Sequence, residues 1–218
     1  MGVGKDFQSD LTGGAEPKRY IVSDKGLPDD FPTHAHRSEF WEELGRTVAT
    51  LGFLEETLGK AIFSFTATRE IPEDQTQAEL EKWLPKLERA LSDPLNGLLE
   101  AYGKAVRDNK AATISNLDSL LEGLRKAAVI RNVICHGSWR APDEHGRSVP
   151  FFVDRKNKIF DTSIDVGYLR QLRRHVVELT CAVINTVTHM GWQFPGSSGP
   201  GNPIFQSQRG AQTPERHT

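Results

Sequence analysis

The chain has 218 residues, 27 of them basic and 29 acidic, a formal net charge of −2 and 37% hydrophobic content. That balance excludes a bulk polycation, so any nucleic-acid site has to be a local basic patch. The length fits one ordinary domain, no run approaches a membrane span, and the N-terminus lacks the apolar stretch of a secretory leader.

The two cysteines, Cys135 and Cys181, sit in apolar helical patterns without CxxC or His/Cys spacing. They read as buried, reduced thiols of a cytoplasmic protein rather than as a disulfide framework or a zinc site. Two histidines in a loop, His34 and His36, do not by themselves make a metal site. The one GxG, at Gly2 to Gly4, lies in an aperiodic arm and not in a phosphate loop. No metal and no cofactor is expected.

In chain order, residues 1–33 carry Gly, Asp, Pro and Lys with little periodicity and read as a flexible arm. A helical domain is expected over 34–191. Its first helix runs from Ser38 to Phe65, with Leu44, Val48, Leu51, Leu54, Leu58, Ile62 and Phe65 as one buried stripe. Ser38 reads as its N-cap. Gly45, Gly52 and Gly59, seven residues apart, suggest a seam where another helix backbone comes close. A second helix is expected from Thr76 to Ser92, broken or kinked at Pro85. A third starts at Asp93-Pro94 and carries Leu95, Leu98, Leu99, Tyr102 and Val106. A fourth begins near Ser115 or Asn116 and stops at Gly137. The runs around Lys156-Asn157 predict a β-hairpin. A last helix runs from Ile164 to Met190, with Asp165 suited to its positive end. The tail over 192–218 is rich in Gly, Pro and Ser and is expected to be disordered. The fold class is therefore all-α, a bundle of four to five helices with a small β-hairpin inserted before the last.

Function is sought at the end of the fourth helix, in Ala127 to Trp139, AAVIRNVICHGSW. Arg-x4-His alone is uninformative, because Arg131/His136, Arg140/His145 and Arg170/His175 all satisfy it. Context discriminates: Arg140 and His145 lie in a turn-rich loop, Arg170 and His175 on a charged helix face, but Arg131 and His136 in an apolar helix near its end. Residues five apart are separated by roughly 140° around a helix, so Arg131 and His136 do not share a face. Asn132 and His136, four apart, do. Histidine suits general acid–base work near neutral pH, and an arginine fork suits a phosphate. Together they can cleave RNA through its 2′-OH, which DNA lacks. For both to meet one substrate, Arg131 reaches around, the helix end loosens, or a second protomer completes the site. The competing reading is that Arg131 and His136 cap carbonyls and pair with first-helix carboxylates such as Glu55 or Glu56. Arg125, Lys126, Arg140, Arg170, Arg173 and Arg174 are candidate RNA-backbone contacts, or a solvated charged face. Trp139 either stacks a base or covers the edge of the core.

The nine residues Arg131-Asn132-Val133-Ile134-Cys135-His136-Gly137-Ser138-Trp139, ending a long penultimate helix, resemble the signature of the HEPN (higher eukaryotes and prokaryotes nucleotide-binding) superfamily. The likeness extends over residues 36–191 in helix order. It implies a metal-independent endoribonuclease acting on single-stranded RNA as a homodimer, with Arg131 and His136 catalytic and Asn132 supporting them. It also implies a setting in phage defence, RNA processing or a toxin–antitoxin pair, with an antitoxin or other protein as partner. The alternative is a non-catalytic HEPN-like module that binds RNA, a nucleotide or a protein, or only dimerises.

Overall fold

The structure, a computed structural model, describes residues 20–68, 72–75, 77–78, 81–83, 85 and 94–199. The chain divides into two units, Met1–His34 and Ala35–Thr218. In the first, the described residues form successive turns closed by Leu27 N–H to Asp24 O and Phe31 N–H to Pro28 O, with Phe31 stacked on His34. The second unit is a helical bundle, and among its described residues there is no β-strand.

Helix α1, Ser38–Ala67, is the longest among the described residues, at 30 residues. Leu51, Leu54, Leu58 and Phe65 are at most 1% exposed. Burying each such side chain is worth about 1.5–3 kcal/mol, which outweighs the cost of about 1 kcal/mol for each interior glycine. Val48, expected in this stripe, is 39% exposed. The expected cap is also displaced: the extended residue before the helix is Arg37, Ser38 is its first turn, and no side chain caps it. Among the described residues nothing outside α1 comes within 4 Å of a Cβ built on Gly45 or Gly52, so no described helix uses the expected seam at those two positions, while Gly59 is buried.

Of the second expected helix, residues 77–78, 81–83 and 85 are described and helical; the rest, including the residues on either side of Pro85 where a break or kink was expected, lies outside the described residues. The indole N–H of Trp83 donates to Thr66 Oγ1 at 2.8 Å, docking this segment on α1. Helix α2, Leu95–Asp108, starts after Pro94, whose carbonyl accepts from Gly97 N and Leu98 N. It ends at buried Asn109, whose amide donates to Phe65 O at 2.9 Å and satisfies a carbonyl in the last turn of α1.

Helix α3, Leu117–His136, runs antiparallel to α2, pinned by Arg107–Asp118 at one end and Arg125–Glu100 at the other. Helix α4, Val166–Thr188, is capped by Asp165, which accepts from Tyr168 N at 2.7 Å. It lies parallel to α1: Arg170 meets Glu43 at one end, and Trp192, just past α4, meets Phe65 at the other. No helix among the described residues is long and apolar enough to cross a membrane.

Two cores result. The larger joins α1, α2, α3 and α4 around Leu54, Leu58, Leu99, Tyr102, Leu124 and Val183. The smaller, of Phe40, Leu44, Val133, Ile134, Ile164 and Leu169, holds the start of α1, the end of α3 and the start of α4. The tail expected to be disordered begins inside the larger core. Phe194 is 7% exposed, Trp192 packs on Phe65, and Ser197 closes a turn on Phe194; residues 200–218 lie outside the described residues.

Between α3 and α4 the expected hairpin is replaced by isolated antiparallel bridges, Ser138 to Phe151, Ser148 to Ile164 and Val153 to Ile159. Pro150 has no N–H to extend a ladder, and the Asp154 carboxylate takes the N–H groups of Lys156 and Lys158 at the turn. Asn157 holds the left-handed φ of 61° that the turn needs.

Candidate functional site

The end of α3 is set by close packing. Gly137 has φ −72° and ψ 141°, so its role is not a left-handed turn. A Cβ there would stand 2.5 Å from Val133 O and 3.0 Å from Pro150 Cβ. Glycine lets the backbone turn across the last helical turn while its N–H keeps the 2.8 Å bond to Val133 O. Val133 and Ile134 are buried in the smaller core, which fixes the rotation of the last turn.

With those two anchored, the neighbouring positions face outward. His136 is exposed and its side chain makes no hydrogen bond or ion pair among the described residues, and the side chain of half-buried Asn132 likewise has none. Cys135 is exposed, as is Cys181 on α4, against the expectation of buried thiols. The apolar run around Cys135 wraps further around the helix than the core that covers it.

Arg131 turns the other way, to α1. Its Nε lies 3.1 Å from Glu55 Oε1, with both side chains about one-quarter exposed. This is an ion pair without an aligned hydrogen bond, and Glu55 Oε1 is buried with no hydrogen-bond donor. The pairing with a first-helix carboxylate that competes with catalysis in the sequence is therefore present for Arg131, and absent for His136. Within the chain, Arg131 is turned to Glu55 while His136 faces outward.

The other candidate residues separate into paired and packed groups. Arg125 pairs with Glu100, and Lys126 with Glu122, whose carboxyl it holds below the ordinary value. Arg170 reaches across to Glu39 and Glu43, and Arg173 to Glu43, so this face of α4 is not a free basic patch. The hydrogen bond from Arg170 keeps Glu43 ionised, holding its carboxyl below the usual range against the opposing effect of burial. Arg174 is exposed with no ion pair among the described residues. Arg140 sits over the Phe151 ring at 5.3 Å. Trp139 is half-buried edge-on to Phe40, 5.0 Å away, in an aromatic group with His36 and Trp41; it covers the edge of the smaller core. His145 and His175, from the two other Arg-x4-His spacings, stand 3.5 Å from Glu144 and Glu178.

Sequence reasoning missed a cleft of about 430 Å³ lined by His36, Arg37, Glu39, Phe40, the turn at Pro142–Gly146 and the start of α4. It joins three segments distant in the chain, and includes neither Arg131 nor His136. His36 is stacked on Phe40 with its Nε2 buried and unpartnered, and burial pushes its imidazole below the ordinary value.

No protein-family model, curated protein or solved structure matches this chain. Among the described residues, fold and site together define an all-α helical bundle that presents a histidine and an asparagine with unpaired side chains at one helix end, with an arginine held at its flank.

Proposed function

We propose that the chain is a metal-independent endoribonuclease of HEPN type, cleaving single-stranded RNA as a homodimer in phage defence or a toxin–antitoxin pair. The observation that carries the reading is His136: unpaired, exposed, and mounted on a helix turn that Val133 and Ile134 hold rigid. A rigidly mounted imidazole without an internal partner is free to move a proton at a substrate. In the reaction a 2′-oxygen bonds to the adjacent phosphorus, the bond to the 5′-oxygen breaks, and the proton lost by the 2′-OH is balanced by one gained at the 5′-oxygen. His136 moves a proton, Arg131 offsets charge on the phosphorane, and Asn132 orients the imidazole or a phosphate oxygen. Because Arg131 and His136 diverge within one protomer, a second protomer that brings its own α3 end completes the site. Purified protein is expected to cleave single-stranded RNA in EDTA, leaving 2′,3′-cyclic phosphate ends. The His136→Ala variant is expected to be inactive, and retained cleavage in that variant defeats the assignment.

A second reading, a non-catalytic module that binds RNA, a nucleotide or a protein, or dimerises, is favoured by the pairing of Arg125, Lys126, Arg170 and Arg173 with carboxylates. It predicts binding without turnover, with Arg131→Ala changing affinity alone.

A further inference from the structure

Among the described residues, Glu55 is the one carboxylate that pairs with a proposed catalytic residue. It lies mid-way along α1, about one-quarter exposed, with Oε1 buried and 3.1 Å from Arg131 Nε. Its neighbour Glu56 is paired instead with Lys60 at 2.6 Å. The Arg131 side chain has no other hydrogen bond or ion pair among the described residues, so the edge carrying Nη1 and Nη2 is uncommitted. We infer that Glu55 is a positioning residue for Arg131: it holds the Nε edge and aims the Nη edge at an RNA phosphate. This rests on the ribonuclease reading of the same site. The hold has two consequences of opposite sign. Fixing the guanidinium favours the reacting geometry. The carboxylate charge beside it weakens the attraction of Arg131 for a phosphate. A buried carboxylate oxygen without an aligned donor is poorly satisfied, so the pair serves orientation better than it serves stability.

The test measures kcat and KM on single-stranded RNA, and Kd for the same oligonucleotide with every 2′-hydroxyl methylated, together with thermal unfolding. The Glu55→Gln variant is expected to lower KM and Kd about three- to tenfold, as one opposing charge is removed. It is expected to lower kcat about tenfold or more, as the guanidinium loses its aim. The Glu55→Asp variant, which keeps the charge with a shorter reach, is expected to lose kcat without the gain in binding, and serves if Glu55→Gln fails to fold. On an Arg131→Ala background, Glu55→Gln is expected to have no further effect on kcat or Kd. A purely structural Glu55 shifts the unfolding temperature and leaves kcat, KM and Kd of the folded protein unchanged; that result overturns the inference. If no RNA is cleaved but Kd still tightens through Arg131, the hold of Glu55 stands and the ribonuclease reading falls. If neither cleavage nor a change in Kd is seen, both fall.

Discussion

Replacing Gly137 with alanine places a Cβ 2.5 Å from Val133 O and 3.0 Å from Pro150 Cβ. The backbone angles suit alanine, so the cost is one of contact. The first neighbour is backbone at the end of α3 and the second is the ring of Pro150, and neither is the free end of a flexible side chain. Forcing them apart costs about 1–3 kcal/mol, and stretching the 2.8 Å bond from Gly137 N to Val133 O costs up to about 1 kcal/mol more. A loss of about 2–3 kcal/mol lowers the unfolding temperature of a domain this size by roughly 5–10 °C. The control is Gly52→Ala, the same added methyl in open space on α1. Removing a helix-interior glycine there stabilises by up to about 1 kcal/mol. Thermal and urea unfolding followed by circular dichroism compare the two. If Gly137→Ala unfolds at the wild-type temperature, the reasoning about this helix end is wrong.

Two predictions concern pH. Burial pushes the Tyr102 phenol up to about 12, partly offset by its bond to Thr186 Oγ1 at 2.9 Å. An acid whose folded value is raised contributes stability that is intact below its unfolded value of 10 and is lost as pH rises towards 12. Urea unfolding between pH 9 and 12 should show a loss of about 2–3 kcal/mol that Tyr102→Phe flattens; an unchanged slope in that variant sinks the assignment. His36 works at the other end of the scale. Its folded value lies below the ordinary 6.5 because of burial, so its contribution is intact above that pH and is lost as pH falls below it. The His36→Phe variant should remove that acid-side loss, measured as the unfolding temperature between pH 7 and 5; an equally steep fall in the variant counts against it.

The helices were legible wherever apolar residues recur at three- and four-residue steps, as in Leu51, Leu54, Leu58 and Phe65. Asp165 was legible as the start of α4, because a carboxylate before an apolar helical run has few other roles. Ser38 misled, since a serine at the first helical position looks the same in sequence as one before it. The residues after Gly191 misled because composition averages over a window, and Phe194 is a single apolar side chain among Gly, Pro and Ser. At the site, the outward stripe of Asn132 and His136 follows from helical spacing. The pairing of Arg131 with Glu55 was visible only as one option among several, because α1 and α3 meet through a fold that periodicity does not specify. The ion pairs of Arg170 and Arg173 were not legible for the same reason: Glu39 and Glu43 lie about 130 residues away in the chain and adjacent in space.

The parallel pairing of α1 with α4 also has a consequence in time. During synthesis α1 emerges before α4, its principal partner, which is complete only at Thr188, about 120 residues later. At roughly 5–20 residues per second, the apolar stripe of α1 waits roughly 6–24 s for α4. The α2–α3 hairpin, with its short connection and local ion pairs, forms in the interval and offers α1 a provisional surface through Tyr102 and Asn109. A stalled chain ending before Val166 exposes the stripe of Leu44 and Leu51 for as long as the stall lasts, and this is the species a chaperone would hold.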